Sequence, residues 1–291
     1  MFAIALEEQQ YKTYILSDQA ARSRLEVVPE RGGIITRWQL QGQDILYLDA
    51  ERFADPTLSV RGGIPILFPI CGNLPDNTYR YQGQAYMLKQ HGFARDLPWE
   101  VANQVTEDLA GLTVVLNSND QTRAVYPFEF QLAFTYELQG NNLDIRQSYT
   151  NRSQSPMPFS TGLHPYFWTS DKTLLEFAIP ASEYQDQRTK TTHAFTGGFD
   201  FNVDEIDVAF RELTGRSATV TDPSRQLQIT LSYDTAYSAV VFWTVKGKEF
   251  YCLEPWSALR NAMNTSDRLI HLEPGATLET LVRLNVTFLG N

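Results

Sequence analysis

Phe130-Gln131-Leu132-Ala133-Phe134-Thr135-Tyr136 leads through Gln139-Gly140-Asn141-Asn142 into Leu143-Asp144-Ile145-Arg146-Gln147-Ser148-Tyr149. Two short runs rich in β-branched and aromatic residues around a glycine turn predict an antiparallel hairpin. The same grammar extends outward in both directions. Leu112–Leu116 precedes the hairpin, and Tyr79-Arg80-Tyr81, Gln82-Gly83-Gln84 and Ala85–Leu88 form another strand, turn and strand. Leu25–Val28 and Ile34–Leu40 follow the pattern, and the Gln41-Gly42-Gln43-Asp44 turn predicts a further strand over Ile45–Leu48. Later strands are predicted at Leu227–Tyr233, Ala239–Thr244, Phe250–Leu253 and Leu278–Phe288. No window longer than about a dozen residues holds a helical apolar period, and only short helices are expected, near Asp49–Ala54 and Gln121–Tyr126. Many short antiparallel strands, each burying one face, predict an all-β sandwich. With no linker, charge block or repeat, residues 1–291 read as one domain.

Composition narrows the function. Lys and Arg total 24 against 34 Asp and Glu, a formal charge of −10. Nucleic-acid binding depends on phosphate neutralisation and calls for a basic excess, so that class is excluded. A local arginine pair can still bind an anionic small molecule. No run approaches the roughly 18 apolar residues of a membrane helix, and Met1–Glu8 lacks the basic start of an export signal. The two cysteines, Cys71 and Cys252, are therefore expected as free thiols in a cytoplasmic protein.

Cofactor chemistry finds no foothold. There is no Gly-x-Gly-x-x-Gly, no phosphate loop ending in Gly-Lys-Ser/Thr and no Gly-x-Ser-x-Gly elbow. His91, His164, His193 and His271 are dispersed without metal-ligand spacing, so neither a metal nor a cofactor is expected. Acid–base chemistry remains. Three segments set polar groups among aromatics and turn formers: Ser59–Pro69 leading to Gln90–Arg95, then Ser160–Trp168, then Tyr251–Ser257. Proline directly after His164 and after Glu254 predicts that each lies extended at a strand end. Apolar neighbours favour partial burial, which moves pKa values toward the working range of a general acid or base. Taken singly these signals are ordinary. A lone histidine beside aromatics is more often structural, and Arg61 and Arg95 alone read as surface or ion-pair residues. An unpaired buried carboxylate is costly, so Glu254 is the more pointed signal.

Together, Gln90-His91-Gly92-Phe93-Ala94-Arg95, Leu163-His164-Pro165-Tyr166-Phe167 and Cys252-Leu253-Glu254-Pro255 make the chain resemble the aldose 1-epimerase (galactose mutarotase-like) family. The resemblance covers nearly the whole chain and implies an antiparallel β-supersandwich, in agreement with the strand reading. It implies Glu254 as general base, His164 as general acid, His91 in the sugar site and Asp207 as a ligand of sugar hydroxyls. The implied reaction is the interconversion of α and β anomers without metal or nucleotide. The implied partner is a small-molecule sugar or sugar phosphate, taken up by a monomer or weak homodimer without nucleic acid or membrane.

The Arg61-Gly62-Gly63-Ile64-Pro65 segment is similar to the hexose-6-phosphate epimerase branch, which implies ligand contacts from Arg61, Gln90 and Arg95. Two arginines converging on a phosphate is chemically sensible. The chain departs from that branch at Glu254-Pro255-Trp256, where phosphosugar epimerases commonly carry Glu-Pro-Gly. Hexose and hexose 6-phosphate both stay open as substrates. The alternative is a non-catalytic carbohydrate-binding protein on the same sandwich, since fold does not fix function. Such a binder has no use for a matched acid and base.

Overall fold

In the computed structural model, which describes residues 1–290, the hairpin that decides the fold pairs Phe130–Gln139 with Asn142–Asn151. Gly140 occupies the first turn position at φ +59°, the backbone a tight hairpin turn requires and glycine supplies at no steric cost. Along Phe130–Gln139 every second residue is buried, because side chains alternate across the sheet and only one face meets the core.

From this hairpin an eight-stranded sheet grows both ways. Its order is Glu176–Ala178, Ser217–Asp222, Leu227–Tyr233, Thr277–Phe288, Asn142–Asn151, Phe130–Gln139, Ala110–Asn117 and Glu100–Val105. A second eight-stranded sheet runs Thr192–Ala194, Glu183–Asp186, Glu205–Phe210, Ala239–Val245, Phe250–Trp256, Gly162–Leu163 and Ile66–Leu67, with Tyr166–Trp168 also paired to Phe250–Trp256. Five N-terminal strands from Phe2–Glu8 to Gln43–Asp44 complete the sandwich. All ladders in these three sheets are antiparallel. One contiguous apolar cluster between the layers reaches from Leu16 to Val286. At its centre the Phe68 and Phe159 rings lie 6.0 and 5.2 Å from that of Tyr149. The all-β expectation holds. The two short helices fall at Ala50–Ala54 and Asp120–Val125, the second opened by an Asn119–Thr122 capping box. Among the described residues no helix is long and apolar enough to cross a membrane. Cys71 and Cys252 are free and buried.

Two local expectations are corrected. After the Gln41-Gly42 turn only Gln43–Asp44 pairs with the preceding strand. Leu46 and Leu48 make single bridges to Phe167 and Gly62 instead, because Ile45–Leu48 crosses from the N-terminal sheet to the edge of the second large sheet. Glu254 lies inside the Phe250–Trp256 strand, not at its end. That strand tolerates Pro255 because its neighbour on one side breaks between Leu163 and Tyr166.

Candidate active site

The break is what builds the site. Gly162 pairs with Trp256, and Tyr166, Phe167 and Trp168 pair with Cys252, Tyr251 and Phe250. The same register carried across the gap sets His164 directly opposite Glu254, with Pro165 and Pro255 beside them. Neither proline can donate to a ladder. The pair therefore sits where hydrogen bonding between the strands lapses, and His164 Nε2 is 3.4 Å from Glu254 Oε1. Gly162 keeps the strands close. A Cβ there would lie 2.8 Å from the Pro255 carbonyl oxygen and 2.8 Å from the Trp256 ring.

Alternation supplies the rest of the floor. Asp207 pairs with Trp243 and Trp243 with Cys252, while Val241 pairs with Glu254. Glu205, Asp207, Val241, Trp243, Glu254, Trp256, His164 and Tyr166 thus share one face of the sheet. Arg52 from the Ala50–Ala54 helix, Arg95 from a single 3-10 turn at Ala94–Asp96, and Arg61, Gln90, His91 and Arg260 from loops wall the face into a cavity of about 350 Å³. All seven residues singled out in the sequence, Arg61, Gln90, His91, Arg95, His164, Asp207 and Glu254, line this one cavity. Its volume falls within the roughly 300–1,000 Å³ common for small-molecule sites.

Burial drives the electrostatics. Removal from water pushes the Glu254 carboxyl well above the usual carboxylate range. The charge of Asp207 adds to this, while the Trp256 indole N–H, donating to Oε2 at 3.0 Å, opposes it. His164 is pushed down to about 3, first by burial and then by the nearby Arg95 charge. Its ring stacks on Tyr166 at 4.7 Å. Both members of the pair are thereby biased toward their neutral forms. His91 is also driven well down by burial. Its Nδ1 accepts the Gly72 N–H at 3.0 Å, so in the neutral ring Nε2 is the protonated nitrogen. Burial raises Asp207, and Arg260 works against that shift from 2.8 Å away. Arg95 donates to the Gln90 carbonyl at 2.9 Å. Among the described residues eight buried side-chain polar atoms have no protein partner, and four of them belong to Arg95, His164, Asp207 and Arg260. Such a concentration marks a site built for something other than itself. Cys252, on the same face two residues before Glu254, completes a trio with it and His164 whose ligand atoms lie within 4.8 Å of one another.

A family model described as aldose 1-epimerase matches residues 15–285. The chain belongs to the aldose 1-epimerase family. Solved structures share the fold. The Slr1438 protein of Synechocystis sp. PCC 6803 is 47% identical, covers 99% of this chain and 100% of its own, and superposes with a TM-score of 0.95. A galactose mutarotase-like protein of Clostridium acetobutylicum, 22% identical with 99% of each chain covered, shares the fold at a TM-score of 0.84. Among curated relatives, a Cenchrus ciliaris protein named "Putative glucose-6-phosphate 1-epimerase" is 27% identical over 233 residues, 75% of this chain and 67% of its own length.

Besides Val241, four lining residues of this epimerase-family cavity escape sequence reasoning: Arg52, Glu205, Trp243 and Arg260. Trp243 accepts no special notice in a strand of apolar residues, although it donates its indole N–H to Glu205 at 2.7 Å. Arg260 lies in an irregular segment six positions after Glu254 and carries no motif. Its signal is indirect. Gly72 has φ +73°, and a Cβ on it would lie 2.2 Å from Arg260 Cγ, so the glycine makes room for the arginine stem.

Proposed function

We propose that the protein interconverts the α and β anomers of a hexose carrying an anionic group, with hexose 6-phosphate as the favoured substrate. Glu254 and His164 act as the paired base and acid. The observation that carries the reading is the cross-strand juxtaposition of a buried carboxylate and a buried imidazole, 3.4 Å apart on the floor of a polar cavity. Anomerisation requires the C1 hydroxyl to lose a proton while the ring oxygen gains one. The ring opens, C1 turns about the C1–C2 bond, and the ring closes on its other face with the proton roles reversed. Before opening, Glu254 is a carboxylate and His164 an imidazolium. In the open-chain state Glu254 holds the C1 proton and His164 has given its own to the ring oxygen. The total proton count of the pair never changes, so no external base or metal enters. Burial favours the neutral pair, which is the open-chain protonation state, and so drives both transfers, while the Trp256 N–H on Oε2 keeps the starting carboxylate accessible. Each positioned transfer is worth about 10²–10⁴-fold.

Asp207, held by Arg260, and the His91 ring, held by Gly72, supply a hydroxyl acceptor and a donor. The anionic group is assigned to Arg61 and Arg95. Among the described residues neither forms an ion pair. Arg61 is exposed 6.0 Å from the Trp243 ring centroid, and Arg95 bonds only a carbonyl. The name of the Cenchrus ciliaris relative supports the same substrate class. The experiment that tests this reading is anomer exchange followed by NMR on glucose, galactose and glucose 6-phosphate side by side. Blank-corrected acceleration, greatest for the phosphate, supports it. Tight sugar binding without any acceleration refutes it and favours a carbohydrate-binding role.

A further inference from the structure

We propose that His164, Cys252 and Glu254 form an inhibitory site for a borderline-soft divalent cation of the Zn²⁺ type. Its inhibitory half rests on the acid–base reading of His164 and Glu254, whereas its binding half does not. The three ligand types, imidazole nitrogen, thiolate sulfur and carboxylate oxygen, are those that zinc selects, and three protein ligands with one open position is a stable arrangement for it. The register explains why they converge. Cys252 and Glu254 alternate onto the same face of one strand, and His164 stands opposite Glu254 on the next. Zinc–ligand bonds of about 2.0–2.2 Å to nitrogen and oxygen set tetrahedral edges of roughly 3.4 Å. The His164 Nε2 to Glu254 Oε1 separation is 3.4 Å, so these two need not move.

The Cys252 thiol lies within 4.8 Å of both, and a shift on the order of 1 Å brings its sulfur to a zinc–sulfur bond of about 2.3 Å. On binding, the thiol proton and the one proton shared by Glu254 and His164 leave to solvent, and the carboxylate and thiolate together balance the dication in a buried setting. Trp256 already holds Oε2, presenting Oε1 as a fixed ligand. His164 Nδ1 has no protein partner, so its ring is free to carry the proton there and offer the Nε2 lone pair. The fourth position faces the cavity. A cation seated here occupies both proton-transfer atoms at once. Hard cations such as Mg²⁺ prefer oxygen ligands and octahedral geometry, and they do not fit.

The test uses chelator-stripped full-length protein. Titration calorimetry with ZnCl₂ should find one Zn²⁺ per chain, and Co²⁺ should give a thiolate-to-metal charge-transfer band. Zn²⁺ should abolish anomerisation in step with occupancy, with MgCl₂ inert. Cys252→Ser and Cys252→Ala should keep metal-free turnover, lose the cobalt band and weaken Zn²⁺ by more than the 10–100-fold typical of a supporting partner. If the active wild type binds no Zn²⁺, or the Cys252 variants bind it equally well, the site is wrong and the acid–base reading stands. Zn²⁺ held through Cys252 with undiminished turnover overturns the inhibition and the assignment of His164 and Glu254 together. The wild-type cobalt spectrum decides the cysteine ligand even if both variants fail to fold.

Discussion

Replacing Trp256 by Phe keeps an aromatic ring beside Glu254 and His164, the proposed base and acid, and removes one N–H. That N–H donates to Glu254 Oε2 at 3.0 Å and is the hydrogen bond that favours the charged carboxylate against burial. A hydrogen bond to a charged group contributes about 1.5–3 kcal/mol. At about 1.4 kcal/mol per factor of ten, its loss should lower kcat near neutral pH by roughly 10- to 150-fold. The pH dependence follows from the directions of the shifts. Free side chains would put the carboxylate on the acid limb and the imidazole on the alkaline limb, since their ordinary values are about 4.3 and 6.5. Burial reverses that order by raising Glu254 and pushing His164 down to about 3. The competent state holds one proton between the two groups, so the limbs belong to the pair. Activity should fall at low pH as the pair gains a second proton, and at high pH as it loses the only one. The acid limb is then expected below the ordinary histidine range and the alkaline limb above the ordinary carboxylate range. Trp256→Phe stabilises the protonated carboxyl and should move the alkaline limb further up. The assay is anomer exchange by NMR in chelator-treated enzyme, corrected for the spontaneous rate at each pH. A folded Trp256→Phe variant with unchanged kcat and an unmoved alkaline limb would refute the reasoning.

Three further outcomes are expected. Arg61→Ala and Arg95→Ala should raise KM for a hexose 6-phosphate far more than for the free hexose, whereas equal effects on both substrates would make these arginines structural. Gly72→Ala places a side chain at a left-handed backbone position and 2.2 Å from Arg260 Cγ. It should cost at least about 1–2 kcal/mol of stability by denaturant unfolding and raise KM, as Arg260→Met should, so an unchanged midpoint and KM would count against the Gly72–Arg260–Asp207 assembly. Stripping metals with a chelator and adding no nucleotide should leave turnover intact, because in the proposed exchange the pair alone completes the proton transfers; activity lost on stripping and restored by one ion would contradict this.

Legibility from sequence followed the reach of each physical signal. Alternation and turn chemistry are local, so the Phe130–Tyr149 hairpin, the Gln82-Gly83 turn and the late strands are readable residue by residue. Ile45–Leu48 has the same local appearance as a strand, but its partners lie more than a hundred residues away at Phe167 for Leu46 and in a loop at Gly62 for Leu48. Composition does not encode that choice. For the site, proline after Glu254 marks an extended residue, though one inside its strand, whereas His164 lies in the gap between Gly162–Leu163 and Tyr166–Trp168. The direct opposition of the two residues depends on which strand lies next to Phe250–Trp256, and only the assembled sheet decides that. Arg260 illustrates the opposite limit. Its role comes from contacts with Gly72 and Asp207, distant in sequence, and no local pattern announces it.

The central claim is tested most directly by the blank-corrected kcat of Glu254→Gln for anomer exchange on the preferred sugar. Glutamine preserves size and can still receive the Trp256 N–H, but it cannot take the C1 hydroxyl proton. The account predicts a fall of about 10²–10⁴-fold with a smaller change in KM. His164→Asn should fall similarly, and the double variant should lose much less than the product of the single losses, because the two residues serve one proton exchange. Near-full turnover in a folded Glu254→Gln protein would contradict the account.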